Sequence, residues 1–286
     1  MLSVTSLSTY AYCKRKLYLQ YVLGIKEPPS KVIIKGSLCH KVYEKINKID
    51  KELVINIKKG ATLSEIKEKY NKGYIGILTS IIKDYKAKLE SLKIEPVDIL
   101  RYLFPLIVYE SEIRAKIVYD FIKKYNIYGE ELWLRLTPKI KSEMKIESGV
   151  LGLRGVIDQI RIYDERIVPV EIKTGKCPKE GVWPSHKIQL IAYALLLEEE
   201  LKLKVNEGWV YYIDEKEKRQ IPINPFMKLE IVELIKKAKE TITSDTIPGF
   251  EKNQNKCVAC GLKEICYDEK KLDELIEERK NQKQVL

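Results

Sequence analysis

Near Ile140 the apolar pattern of this chain changes period. Before that point apolar residues recur about every 3.6 positions, and after it they alternate. Residues 3–23 read as a helix that Ser6 or Ser8 can cap, with Tyr10, Tyr12, Leu17, Tyr18 and Tyr21 on an aromatic-rich face; Gly24, Pro28 and Pro29 end it. Those tyrosines read as packing residues rather than base-stacking ones. A second helix opens at Gly36, runs to about Asp50 and carries His40. Within residues 51–130 the runs Ile66–Tyr70, Ile75–Leu92 and Ile99–Tyr125 keep helical spacing and hold no catalytic signature, so the segment reads as a helical insertion.

Beyond it, Met144-Lys145-Ile146-Glu147 alternates and stops at Ser148-Gly149. Strands are predicted at about 151–163 and 166–173, joined by a turn at Tyr163-Asp164-Glu165. An amphipathic helix over 185–204, a hairpin of 208–213 with 218–223, a helix from Asn224 or Pro225 to about Thr243, a cysteine cluster and a charged terminal helix complete the chain. The pattern is that of an α/β (α+β) protein: N-terminal helices (1–50), helical insertion (51–130), a strand-bearing core (131–245) and a C-terminal cysteine region (246–286), expected to form one integrated domain.

Composition narrows the setting. The 286 residues are 45% hydrophobic, ample for a core, and no apolar run reaches the roughly 20 residues of a membrane span. The N-terminus lacks a basic segment followed by an apolar core, so the expected location is cytoplasmic. The net charge of +11 fits either a solvated lysine-rich surface or a polyanionic partner. No internal repeat and no Walker A loop is present, so no motor is expected on this chain.

The candidate chemistry lies in Gly155-Val156-Ile157-Asp158 and Pro169-Val170-Glu171-Ile172-Lys173-Thr174-Gly175. Residues at i and i+2 of a strand share a face, so Glu171 and Lys173 point together toward a site that Asp158 can join. Ile167, Val168, Val170 and Ile172 mark a central strand, where charges are costly unless used. Pro169 cannot donate to a ladder and places the start of pairing near Glu171. Two acids and a lysine around one point suit a Mg²⁺- or Mn²⁺-dependent phosphodiester-cleaving site, with the acids holding a hard cation and the lysine orienting water or offsetting charge.

Other residues are weaker alone. His40 is one of only two histidines and can add a nitrogen ligand, with Glu44 one turn on as an orienting or merely surface group. Gln189 and Tyr193 share a helix face and read as a half-buried pair or as a polar reach toward a substrate. His186 reads as turn packing before that helix. Cys257-x2-Cys260-x5-Cys266 has metal spacing, zinc being the generic reading, and Cys13 is the best fourth candidate, which would tie the chain ends together. Cys39 and Cys177 read as bystanders.

In order, Gly36-x3-His40, Gly155-x2-Asp158, Glu171-x-Lys173 and Gln189-x3-Tyr193 resemble the RecB-type nucleases of the PD-(D/E)xK superfamily. An early cysteine with a terminal C-x2-C-x5-C resembles their iron–sulfur branch, most of all the CRISPR-associated exonuclease family, the fourth Cas protein. The resemblance spans Cys13 to Cys266 and implies a restriction-endonuclease-like core, a mixed sheet flanked by helices. It implies one Mn²⁺ or Mg²⁺ held by His40, Asp158, Glu171 and the main-chain carbonyl of Ile172, with Lys173 catalytic and Gln189 and Tyr193 placing DNA. It further implies a [4Fe-4S] cluster on Cys13, Cys257, Cys260 and Cys266, with [2Fe-2S] or zinc as alternatives. The implied activity is exonuclease action on single-stranded DNA ends, trimming precursors for spacer acquisition beside the CRISPR integrase. A repair or viral relative, or a DNA-binding assembly subunit, is the alternative. Residues 51–130 exceed the helical insert of compact members.

Overall fold

A computed structural model describes residues 1–284 of the chain. Strand β1 (Leu2–Ser3) leads into α1 (Val4–Tyr12), capped by the Ser3 hydroxyl, which accepts from the Ser6 N–H at 3.0 Å. Helix α2 (Lys14–Leu17) and a π-helical turn (Tyr18–Val22) follow. A largely helical stretch comes next: α3 (Lys31–Lys48), α4 (Asp50–Ile55), α5 (Leu63–Asp84), α6 (Lys86–Ser91), α7 (Pro96–Tyr125) and α8 (Gly129–Arg135). Then come β2 (Lys139–Ser148), β3 (Leu153–Ile162), β4 (Ile167–Lys173), α9 (Pro184–Leu201), β5 (Glu207–Tyr212), β6 (Glu217–Pro222) and α10 (Pro225–Thr243). Short helices α11 (Gln254–Val258) and α12 (Lys263–Tyr267) precede α13 (Glu269–Gln284). None of the described helices is long and apolar enough to cross a membrane.

Local chemistry explains the boundaries, including three that differ from expectation. The first helix, expected unbroken over 3–23 with its cap at Ser6 or Ser8, starts from Ser3 and breaks at Cys13 (φ −164°, ψ 118°). Cys13 serves two helices at once: its N–H closes α1 on the Thr9 carbonyl at 2.8 Å, and its Sγ accepts from Lys16 N at 3.3 Å at the head of α2. Helix α3 begins at Lys31, a turn before Gly36, because the Ser30 hydroxyl caps it by accepting from Ile33 N. Its first turn exposes Val32 and Ile33, so no amphipathic pattern announces it. Pairing of β4 starts at Ile167 rather than near Glu171, with Pro169 opposite Ile160 of β3. The nitrogen of Pro169 faces the β5 side, where the ladder begins only at Val170, so no bond is lost there.

The six-stranded mixed sheet has the order β1-β3-β4-β5-β6, with β2 antiparallel along the other side of β3. Strands β4 and β5 are parallel; β3–β4 and β5–β6 are antiparallel. One face buries Val170, Ile172, Tyr211 and Ile213 against a core supplied by α3, α5, α7 and α8. The other face buries Ile157, Val210 and Tyr212 against α1, α9 and α10. Glu171 and Lys173, out of phase with Val170 and Ile172, therefore point into the α9 side.

A buried ion pair organises the helical layer. Asp50 of α4 and Arg114 of α7 have side chains 2% and 3% exposed. Arg114 Nε donates to both Asp50 oxygens at 3.2 and 3.0 Å, and its Nη1 reaches the Pro138 carbonyl at 3.3 Å. The Tyr70 hydroxyl of α5 donates to Asp50 Oδ1 at 2.8 Å. Three helices and the segment before β2 thus share one charge network, in which neither Asp50 nor Arg114 can be removed alone without stranding the other's buried charge. Arg114→Met is expected to lower the unfolding free energy by about 3–5 kcal/mol in urea titrations. Lys116→Ala, on the solvent side of the same helix, should move it by less than about 0.5 kcal/mol.

Candidate active site

Strand β3 is shared unequally. On one side β1 takes Leu153 and Arg154, and β4 takes Gln159 to Ile162. Between them, Gly155–Asp158 have no strand partner on that side among the described residues, so the sheet opens into a gap. Asp158 stands where the gap closes, and its Oδ2 accepts the Ile172 N–H at 2.7 Å, replacing the next rung of the ladder. Backbone N–H and C=O of one strand residue point the same way, so the Ile172 carbonyl turns toward the same gap.

Around this point the structure gathers the acid–acid–lysine set. Glu171 is 2% exposed; its Oε1 lies 2.6 Å from Lys173 Nζ, while its Oε2 is buried without a hydrogen-bond partner. Burial, and then the Asp158 charge, push the Glu171 carboxyl up to about 7 despite Lys173. Burial works against a charged Lys173, but Glu171 and Asp158 outweigh it and hold the ammonium above its ordinary value. His40 comes in from α3, with Nδ1 3.1 Å from Asp158 Oδ1. For His40 burial also disfavours charge, and the Asp158 hydrogen bond and the Asp158 and Glu171 charges more than offset it. Glu44, one turn on, instead binds Lys41 and Lys48.

A further acid, unforeseen from the pattern, completes the site. Glu143 of β2 lies between the paired positions Ser142↔Gln159 and Met144↔Ile157, directly across from Asp158. Its φ of +53° is rare for a side chain larger than glycine and uncommon inside a strand. His40, Glu143 and Asp158 each bring a ligand atom within 4.8 Å of one another. Burial, then Asp158, raise the Glu143 carboxyl. A cluster in which burial and Asp158 raise both the Glu143 and Glu171 carboxyls, and in which one buried carboxylate oxygen is orphaned, has the chemistry of a hard-cation site.

Helix α9 closes the site from above. Gln189 and Tyr193 are both buried on it. A Cβ on Gly155 would stand 2.6 Å from Tyr193 Cε1 and 3.0 Å from Val4 Cγ2. The glycine three residues before Asp158 is therefore the space the tyrosine ring uses. Burial, followed by Glu171 and Asp158, holds the Tyr193 hydroxyl far above its ordinary value, so it stays a neutral donor. His186 lies within the first turn of α9 rather than in a preceding loop, 3.0 Å from the Tyr212 hydroxyl. Burial, then Lys173, lower it to about 4, which keeps it neutral.

Cys13, Cys257, Cys260 and Cys266 line one cavity, together with Tyr12 and Phe250. The chain ends are fastened around it. The Tyr12 hydroxyl donates to the Lys256 carbonyl at 2.7 Å, Lys256 Nζ returns a bond to the Tyr12 carbonyl at 2.7 Å, and Arg15 donates to the Pro248 and Cys266 carbonyls. All six cysteines are free thiols, and Cys39 and Cys177 lie outside the cavity lining.

Gly155→Ala is expected to lower stability by about 1–3 kcal/mol through overpacking, read in denaturant melts. In a Tyr193→Ala background the same Gly155→Ala change should cost less, whereas strictly additive effects would show that glycine and ring are independent.

Comparison with known proteins agrees with this geometry. The chain is 31% identical over 150 residues to a CRISPR-associated exonuclease Cas4/endonuclease Cas1 fusion of Leptospira interrogans, covering 49% of this chain and 28% of that one. It is 28% identical over 141 residues to the corresponding fusion of Myxococcus xanthus, covering 48% and 25%. It is 24% identical over 294 residues to the CRISPR-associated exonuclease Csa1 of Saccharolobus solfataricus, covering 93% and 86%. The chain thus spans roughly a quarter of the fusions' length and most of the length of Csa1. The family model described as the PD-(D/E)XK nuclease superfamily matches residues 1–267, and with the acid–acid–lysine set in the open gap of its sheet the chain belongs to that superfamily.

Proposed function

We propose that this protein is a divalent-metal-dependent deoxyribonuclease that trims single-stranded DNA ends, and that it does so in CRISPR adaptation, preparing DNA for an integrase. The observation that carries the reading is Glu171: a buried carboxylate with one oxygen on Lys173 and the other on nothing, beside a second acid. Such a group is stable in water-poor surroundings only as a proton or cation holder. His40, Asp158, Glu171 and the Ile172 carbonyl would hold Mn²⁺ or Mg²⁺, with Glu143 as the added acid. When bound, that cation supplies Lewis acidity toward a phosphodiester and a nucleophile at neutral pH.

The chain's own groups do the positioning. Asp158 fixes the His40 ring through Nδ1 and pins β4 through Ile172. Lys173, charged and tied to Glu171, orients water and offsets the negative charge that grows on phosphorus. Tyr193 lies against Gly155 at the gap, and it and Gln189, buried one turn before it on α9, would place the strand. The CRISPR setting rests on the likeness to the exonuclease-named relatives, among which fusion to an endonuclease recurs.

Cys13, Cys257, Cys260 and Cys266 would bind a [4Fe-4S] cluster. Four free thiols on one cavity, with Cys13 held extended between two helices so that its sulfur can reach it, support this reading.

Glu171→Ala and Lys173→Ala are each expected to cut nucleotide release from labelled single-stranded DNA by about 10²–10³-fold, with the fold kept by circular dichroism. Chelation should abolish release and Mn²⁺ restore it; undiminished cutting by Glu171→Ala would remove the assignment. For the cluster, anaerobically purified protein should carry iron, acid-labile sulfide and visible absorbance, all lost in Cys260→Ser together with thermal stability. A colourless wild type holding one zinc would exclude it.

A further inference from the structure

Trp183 directly precedes α9, the helix that closes the site, in an arrangement that packing does not require. It is 45% exposed, and Trp133 and Trp209 are both less so. Its indole Nε1–H donates to the Lys176 carbonyl at 3.0 Å, and its main-chain N–H donates to the Tyr212 hydroxyl at 3.2 Å. Ring and backbone are therefore both anchored, the polar edge of the indole is spent on the protein's own main chain, and the ring stays open to solvent. Tyr212 sits opposite Lys173 in the parallel ladder, so the two share a sheet face. The tryptophan is thus one hydrogen bond away from the residue beside the lysine.

The loop that carries it is basic and braced. Lys176 and Lys179 are exposed, against one exposed acid, Glu180. Gly175 and Gly181 bracket the loop at φ +89° and +64°, and the Gly175 N–H donates to Asp214 Oδ2 at 2.8 Å. A rigid aromatic face flanked by cations, next to a phosphate-directed centre, is the composition that binds an unpaired base and its flanking phosphates. An apolar protein partner would not need the lysines, and the interior of a duplex offers no free base face.

We propose that Trp183 is a base-stacking platform for the nucleotide next to the scissile phosphate, with Lys176 and Lys179 holding phosphates of the same single strand. The proposal rests on the nuclease reading and adds to it a requirement for an unpaired base at one position.

The test uses the full-length protein and a single-stranded oligonucleotide, intact or with one abasic position moved along it. For wild type, one abasic position near the cut should raise KM by about tenfold, with kcat little changed. Trp183→Ala should show the same rise with the intact strand and be indifferent to the abasic position, while Trp183→Phe should keep most of the affinity. Oligonucleotide binding in Ca²⁺ should quench tryptophan fluorescence in wild type and not in Trp183→Ala. Lys176→Ala should reduce the slope of log affinity against log salt by about 0.7. A structural role alone would lower activity without any dependence on the missing base. A wild type insensitive to the abasic position, or a Trp183→Ala protein equal to wild type, would overturn the platform and leave the nuclease reading standing. A wild type that neither binds nor cuts DNA would overturn both.

Discussion

The structure is arranged around one unfavourable placement, the carboxylate of Glu171 in the interior of a sheet. Removing a carboxylate from water is expensive, and here the compensation is partial: a lysine on one oxygen and nothing on the other. Asp158 makes it worse by adding a like charge. Natural cores avoid such positions unless they serve a purpose, and the purpose fixes much of what surrounds it. Apolar Val170 and Ile172 bury the other face of the strand, and the parallel ladder with β5 holds the backbone from behind.

The placement also demands an opening. A strand fully paired on both sides would leave no room for a ligand beside its backbone. Strand β3 solves this by changing partners, pairing with β1 at one end and β4 at the other. Asp158 carries two burdens at that junction: one oxygen continues the ladder through Ile172, and the other meets His40. Its substitution would remove one of the proposed ligands and loosen the strand that bears Glu171, so loss of activity there would not by itself separate ligation from architecture.

How much of this is legible in sequence depends on whether the partners are local. Glu171 and Lys173 can be placed together because strand periodicity alone puts them on one face. The strands, the α9 helix and the β5–β6 hairpin likewise follow from short-range pattern. Glu143 is invisible to such reasoning: it becomes a neighbour of Asp158 only through the β2–β3 register, and its left-handed backbone has no glycine to announce it. The same holds for the Asp50–Arg114 pair, separated by long sequence and joined only when α4 and α7 pack. The break at Cys13 was hidden for another reason, since tyrosines on either side continue a helical spacing that the backbone does not follow.

The long helical layer is tied to the chemistry rather than merely stacked on the sheet. Tyr102 of α7 donates to Asp214 Oδ1 at 2.6 Å, and the other oxygen of Asp214 takes the Gly175 N–H, two residues beyond Lys173. The Lys173 carbonyl accepts from Ile213 N at 3.0 Å in the same turn. From α3, a Cβ at Gly36 would stand 3.6 Å from Thr174 Oγ1, so that helix runs close beside the same loop. A displacement of the helices would therefore be felt first at the residues that leave the lysine. This linkage is the physical reason α7, which brings no side chain to the site itself, still bears on it: through Asp214 it braces the point where the strand carrying Glu171 and Lys173 ends and the loop bearing Trp183 begins.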